Sequence, residues 1–332
     1  MTDLRRNLLT KWAREQLNNP QLELTSVSGD ASFRRYFRLI HDDIPYIAVD
    51  APPPHEDCRP FVAIAQAYLA AELKVPEIKA LDLEQGMMLL SDFGDTLLLA
   101  ELTEQSAGFL YGHALQQLPA IYSVTATEAG NLPAFDEAML SREMALFTDW
   151  LIAKHLQLTL SDDEAQLVNE AFEFLIENAQ MQPQGGVHRD YHSRNLMVCD
   201  DGLGIIDFQD AVIGPITYDA VSLLRDCYIR WPDALVYELL ARWQALLVES
   251  ELLDPEIDEA QFRLWFDLMG IQRHLKAAGI FARLYHRDGK EGYLADIPRT
   301  VSYIVDVAAT YPQLAKFANF VESKVLAELT PS

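Results

Sequence analysis

The sequence predicts an α+β chain: a small antiparallel sheet followed by a mostly helical part. Three observations carry this. Up to about residue 92, apolar and polar positions alternate in short runs bounded by turn residues. From Asp95 onward, apolar residues recur every three or four positions in long runs. The change falls at Ser91-Asp92-Phe93-Gly94, which sets the expected division at residues 1–93 and 94–332.

Residues 4–18 predict a helix, with Leu4, Leu8, Leu9, Trp12 and Leu17 close to one face and Asn18-Asn19-Pro20 as its stop. Leu22–Ser28, Phe33–Ile40 and Tyr46–Val49 alternate as three strands of a meander, turning at Ser28–Ser32 and His41–Asp43. Ala51-Pro52-Pro53-Pro54 cannot lie inside a strand and marks a loop. A helix is expected over 61–73, with Phe61, Ile64, Ala65, Tyr68 and Leu69 on one side. Ile78–Leu83 and Met87–Leu90 form a second hairpin around Glu84-Gln85-Gly86. Helices follow over 104–122, 136–156, 161–179, 217–228, 233–252, 258–284 and 312–328. One β-like interruption, Asn195–Cys199, turns at Asp200-Asp201-Gly202 and returns through Gly204–Asp207.

Of 332 residues, 26 are Lys or Arg and 50 are Asp or Glu, a formal charge of −24, and half are hydrophobic. Such a chain folds rather than staying disordered, and its length suits two cores. The acidity argues against nucleic acid and against anionic lipid as partners. Cys58, Cys199 and Cys227 are too few and too scattered for a disulfide framework or a zinc site. No apolar run reaches the ~18 residues of a membrane span, and no secretory signal is evident. A cytoplasmic monomer is expected, with no membrane and no nucleic-acid partner.

The most informative segment is Gly185-Gly-Val-His188-Arg-Asp190-Tyr-His192-Ser-Arg194-Asn195-Leu-Met-Val, followed by Gly204-Ile-Ile-Asp207. Asp190 and Asn195 fall in a loop before a short strand, and Asp207 ends the partner strand of a tight hairpin. The hairpin brings Asn195 and Asp207 within a few ångströms. A carboxylate beside an amide oxygen suits Mg²⁺, whose other ligands are water and substrate phosphate. Asp190 is placed to accept a proton from an incoming hydroxyl.

This segment resembles the catalytic core of the aminoglycoside phosphotransferase family, which has a protein-kinase-like two-lobe fold. That family carries a His-x-Asp-x-x-x-x-Asn loop, an Ile-x-Asp metal strand and a Gly-x-Pro-x-x-x-Asp helix start, whose Pro-x-x-x-Asp part is matched here within Gly214-Pro215-Ile-Thr-Tyr-Asp219. The resemblance runs the length of the chain in lobe order. It implies that Asp190 is the catalytic base, that Asn195 and Asp207 bind Mg²⁺, and that Asp219 braces the loop through backbone hydrogen bonds. It implies a structural role for His188 and ATP as the phosphate donor. Ser28, Gly29, Asp30, Ala31 and Ser32, between the first two strands, become the expected phosphate flap. Arg34, Arg35 and Arg38 follow, with Arg34 and Arg38 on the opposite strand face from Arg35. Ser91, Asp92 and Phe93 become the hinge that offers backbone groups to adenine. One departure is clear: the third strand, Tyr46-Ile-Ala-Val49-Asp50, lacks the lysine that clamps the phosphates, and no helix-borne Glu partner is evident. An arginine of the flap is the expected substitute.

Ser-Gly-Asp-Ala-Ser-Phe-Arg-Arg-Tyr-Phe-Arg, Asp-Ala-Pro-Pro and His-Arg-Asp-Tyr-His-Ser-Arg-Asn-Leu are similar to the anomeric sugar kinases of bacterial peptidoglycan recycling. These phosphorylate the C1 hydroxyl of N-acetylmuramate and N-acetylglucosamine. The resemblance implies a small amino-sugar acceptor. His192, Arg194, Arg225, Asp226, Gln272 and Arg273 are the candidates to bind it, an arginine suiting a lactyl carboxylate. Aminoglycoside, choline and homoserine are the alternative acceptors. A nucleotide-binding pseudokinase is the reading of another class, resting on the missing lysine alone.

Overall fold

The structure, a computed structural model, describes residues 3–27, 34–53 and 55–329. It divides into two compact units. The first runs to Glu101 and also holds Ala126–Asn131 and Arg194–Asp210. The second holds Leu102–Thr125, Leu132–Ser193 and the chain from Ala211 on.

The first unit is built on a five-stranded antiparallel sheet. Its strands are β1 (Thr25–Ser26), β2 (Arg35–His41), β3 (Ile44–Asp50), β4 (Ile78–Asp82) and β5 (Met87–Ser91), in the order β1-β2-β3-β5-β4. Asp42 and Asp43 take φ of +51° and +62°, the left-handed pair that turns β2 tightly into β3. Register pairs Phe37 with Ala48 and Ala48 with Leu89, so these share one face. That face packs Phe37, Leu39, Ala48, Met87 and Leu89 with Leu9, Trp12 and Ala13 of the helix Leu4–Gln16. Each buried Leu, Met or Phe among them contributes about 1.5–3 kcal/mol. The helix's buried stripe is narrower than its periodicity predicts, because Leu4 and Leu8 remain exposed. β1 is two residues long rather than seven: Leu22 and Leu24 are used in the same core cluster.

On the helix Arg59–Ala70, Phe61, Ile64, Ala65 and Tyr68 are buried. The strands Leu196–Cys199 and Gly202–Ile205 form a hairpin in this unit. It is tied to its surroundings by Val198 N–H to Thr96 O at 2.8 Å and Ile205 N–H to Lys74 O at 2.8 Å.

The second unit is helical around one long helix, Glu259–Asp288. Asp258 caps its start by accepting the Gln261 N–H at 2.8 Å. Gly289, at φ +68°, ends it in the left-handed cap. Buried residues occupy nearly every face of this helix, Asp267, Gln272, Arg273, His274 and Lys276 among them. The helix Glu137–Leu146 continues into a wide-turn π segment, Phe147–His155, which passes so close that a Cβ on Gly279 would lie 2.3 Å from the Leu146 carbonyl carbon. A two-stranded sheet, Gln184–Val187 against Val212–Pro215, and a helix, Ile297–Ala308, are additions to the predicted elements. The expected helix over 312–328 is a run of short 3₁₀, α and π turns. No described helix is long and apolar enough to cross a membrane.

Candidate active site

In the second unit, the strand Gln184–Val187 delivers the loop that carries Asp190. Gly186 is required there, since a Cβ would stand 2.2 Å from Val124 O and 2.3 Å from Ile121 O. Asp219, in the first turn of the helix Tyr218–Leu224, accepts the His188 N–H on Oδ2 at 2.7 Å and the Arg189 N–H on Oδ1 at 3.0 Å. Burial pushes the Asp219 carboxyl up to about 7, against the pull of those two N–H groups and of Arg273. His188 is fully buried, and its Nδ1 accepts the Asp190 N–H at 3.2 Å. Arg189 sits at φ +76°, a conformation that costs a non-glycine residue energy and persists only where neighbours enforce it. Tyr191 donates its hydroxyl to Ala114 O at 2.8 Å, and both the N–H and the hydroxyl of Ser193 donate to Asp226 Oδ2. The loop is thus held at every residue from His188 to Tyr191 and again at Ser193.

A further anchor comes from Glu143, which no motif singles out. It is buried. Its Oε1 lies 2.5 Å from Arg189 Nη2 and 3.1 Å from Lys276 Nζ, and its Oε2 accepts from Gln272 Nε2 at 3.3 Å. Burial opposes the charge on Glu143, but Lys276 and Arg189 outweigh it and hold its carboxyl below the usual range.

Asp190, His192, Asp226, Cys227, Tyr228, Arg273, Lys276, Ala277, Ile280 and Phe281 line one cavity of about 90 Å³. Burial acts to raise the Asp190 carboxyl, but Lys276, His192, Arg273 and Arg189 together hold it well below the ordinary carboxylate range. Lys276 also donates to Tyr218 Oη at 3.0 Å. Tyr228 meets the His192 ring edge-on, centroids 5.4 Å apart. Of the acceptor candidates in this unit, His192, Asp226 and Arg273 line this cavity, while Arg225 and Gln272 do not. Arg225 pairs with Asp233 at 2.6 Å and lies over the rings of Tyr237 and Tyr303. His274 stacks on Tyr303 with centroids 4.6 Å apart and shares a hydrogen bond with Arg225 O at 2.8 Å, which makes it structural.

The hairpin of the first unit brings Asn195 and Asp207 together: Asn195 Nδ2 donates to Asp207 Oδ2 at 3.3 Å. Gln209 Nε2 donates to Asp207 Oδ1 at 2.8 Å, and Asp207 holds φ +64°. Phe208 is fully buried against Phe61 and Tyr68, with centroids at 4.8 and 5.6 Å, which fixes the backbone just past Asp207. A carboxylate and an amide, both hard-oxygen donors at contact distance, fit Mg²⁺. Among the described residues no cluster of three acidic, His or Cys ligands exists, so other ligands of such an ion would be water and phosphate. Arg194 is exposed in this unit.

The flap residues Ser28, Gly29, Asp30, Ala31 and Ser32 lie outside the described residues. Arg34 is buried, with its Nε 3.1 Å from Glu56 Oε2. Glu56 lies before the helix Arg59–Ala70 and not on it. β3 ends in Asp50, fully buried and paired with both Arg5 and Arg35. Arg38 ties down the hinge through Asp92, Asp95 and Gly94 O. The Asp92 side chain is therefore committed, and the Ser91 N–H donates to Glu77 O at 2.9 Å. Phe93 packs where a Cβ on Gly204 would lie, and Lys74 stands 5.7 Å from its ring centroid.

Residues 23–265 match the model of the phosphotransferase enzyme family. An N-acetylmuramate/N-acetylglucosamine kinase of Pseudomonas aeruginosa is 44% identical over 92% of this chain and 89% of its own length. A protein of the same name from Pseudomonas putida is 41% identical over 96% of both chains. Among solved structures, a Plasmodium vivax ethanolamine kinase superposes with a TM-score of 0.67 at 12% identity, covering 94% of this chain and 89% of its own. A gentamicin complex of APH(2'')-IIa gives 0.62 at 14% identity, covering 92% and 97%. At such identities the likeness is one of fold, the protein-kinase-like arrangement of an antiparallel sheet and a mostly helical part. The chain belongs to the phosphotransferase enzyme family.

Proposed function

We propose that this chain is an ATP-dependent sugar kinase that transfers the γ-phosphate to the anomeric hydroxyl of N-acetylmuramate and N-acetylglucosamine. Two relatives more than 40% identical carry the name of that activity. The observation that carries the reading is Asp190, a carboxylate held ionised by surrounding cations in a cavity lined by Tyr228 and Phe281. Asp190 orients the C1 hydroxyl and accepts its proton. A carboxylate with a depressed pKa is a weak base, so the proton moves late, as suits the loose transition state of phosphoryl transfer. The ring oxygen makes the anomeric hydroxyl the most acidic on the sugar, which lightens that task.

Asn195 and Asp207 would hold Mg²⁺, whose charge would neutralise the β- and γ-phosphate oxygens. Arg34, held by Glu56, stands in for the missing lysine as a phosphate cation, with the flap 28–32 beside it in sequence. Ser91–Phe93 supply backbone groups to adenine from the carbonyl side and from Asp92 and Phe93. Asp219, His188 and Glu143 position Asp190 through the loop backbone and Arg189. Because ATP is the donor, the reaction belongs to the cytoplasm. The test is direct. Purified protein with Mg-ATP should release ADP only when either sugar is present, and Asp190→Ala should abolish that release. ATP binding without turnover on any acceptor would mean a pseudokinase instead.

A further inference from the structure

Four cationic side chains are buried among the described residues: Arg34, Arg225, Arg273 and Lys276. Three face a carboxylate at ion-pair distance: Arg34 has Glu56 at 3.1 Å, Arg225 has Asp233 at 2.6 Å and Lys276 has Glu143 at 3.1 Å. Arg273 has none. It is 5% exposed, its one hydrogen-bond neighbour among the described residues is the weak acceptor Cys227 Sγ, 3.9 Å from Nη1, and its Nε has no partner. Asp190 and Asp226 act on Arg273 from beyond ion-pair distance, so its guanidinium keeps its charge while its hydrogen-bonding fork stays largely unused.

The cavity of Asp190 is where Arg273 emerges. Most of the other charges on that lining are committed. Asp226 accepts from Ser193 and from the Tyr228 N–H at 3.0 Å, and Lys276 is held by Glu143 and Tyr218. Asp190 is kept for the reacting hydroxyl. The remaining requirement is an anion for Arg273. Asp190 and Arg273 line the same cavity of about 90 Å³, so a ligand whose hydroxyl meets Asp190 can present a substituent to Arg273. Ala277, Ile280 and Phe281 give it an apolar wall beside the cation.

We propose that Arg273 is the specificity residue that receives a carboxylate-bearing arm of the acceptor. On the sugar-kinase reading above, from which this inference follows, that arm is the lactyl ether of N-acetylmuramate. Its methyl would lie on the Ala277–Phe281 wall, and its carboxylate would take the two-pronged contact that a guanidinium offers. N-acetylglucosamine, the same ring without the arm, leaves Arg273 unpaired.

The test compares kcat/KM for the two sugars at saturating Mg-ATP in wild type, Arg273→Met and Arg273→Lys. The ratio for N-acetylmuramate over N-acetylglucosamine should fall about 10- to 100-fold in Arg273→Met, the loss expected of a charged hydrogen bond. It should fall less in Arg273→Lys, which keeps the charge and loses the fork. If Arg273→Met does not fold, Arg273→Lys decides: a ratio lowered threefold or more supports the assignment and an unchanged ratio overturns it. A wild type active on both sugars, with a ratio that Arg273→Met moves by less than threefold, overturns Arg273 alone, as does a wild type active on N-acetylglucosamine only. A wild type that phosphorylates neither sugar overturns the parent reading as well.

Discussion

Replacing Glu143 with glutamine removes one charge and almost no volume, so its effect isolates electrostatics. Glu143 is the buried counter-ion of the buried Lys276, at 3.1 Å, and of the half-buried Arg189, at 2.5 Å. Breaking a buried ion pair by removing one partner costs about 3–5 kcal/mol, because the other charge is left uncompensated. At about 2–4 °C per kcal/mol for a unit of this size, the melting temperature should drop by about 6–20 °C. Activity should fall with it, since Arg189 lies between His188 and Asp190 in the loop. The pH dependence gives a second readout. The Glu143 carboxyl is lowered in the fold relative to its ordinary value of 4.5. Its contribution is therefore present above pH 4.5 and lost as pH falls through the lower folded value. Wild type should lose stability on acidification below 4.5 more steeply than Glu143→Gln. Thermal melts across pH 3–7, with turnover measured alongside, check both. A Glu143→Gln protein within about 1 kcal/mol of wild type, with the same acid slope, would refute the counter-ion role of Glu143.

Phe208→Ala should cost about 3–5 kcal/mol, the price of emptying a fully buried aromatic site, and should weaken Mg-nucleotide binding by freeing the backbone next to Asp207; urea unfolding and nucleotide titration check the two effects. Arg34→Ala should raise KM for ATP about tenfold or more, the worth of one charge-assisted contact, with Arg34→Lys intermediate; steady-state kinetics at saturating sugar decide. Because burial pushes Asp219 up to about 7, lowering the pH below that value protonates it and turns one acceptor of the loop brace into a donor. The kcat profile should show a one-proton acid limb near 7. In Asp219→Asn that limb should disappear; an unchanged limb would assign it to another group. Asp190 is held low and stays ionised throughout that range.

Much of the fold was legible because it rests on local pattern. The alternation that marks β2, β3 and β5 comes from residues such as Phe37, Leu39, Ala48 and Leu89, which have one face to bury. The helix Ile297–Ala308 was missed for the same kind of reason. Thr300, Val301, Ile304 and Val305 are β-branched, and Pro298 reads as a breaker although a first-turn proline favours a helix start. The strands around Gly185-Gly186 and Gly214-Pro215 look like turns. Only the close approach of Ile121 and Val124 to Gly186 explains why glycine stands there.

Site residues divide the same way. Asp190, Asn195, Asp207 and Asp219 lie at fixed spacings within about 30 residues, where spacing alone carries information. Glu143 and Lys276 come from distant helices and look like ordinary solvated charges; only their shared burial reveals them. Arg225 and Arg273 are equivalent in the sequence, both an arginine next to an apolar stretch. What separates them is Asp233, a partner one of them has.

The central claim is that Asp190 serves transfer of phosphate to an anomeric oxygen. Phosphorus NMR of the product formed from Mg-ATP and N-acetylglucosamine, with the rate compared between wild type and Asp190→Asn, tests it most directly. The account predicts a sugar 1-phosphate, formed about 10²- to 10⁴-fold more slowly by the variant while nucleotide binding is retained. A phosphate on any other hydroxyl, or an Asp190→Asn protein as fast as wild type, would contradict it.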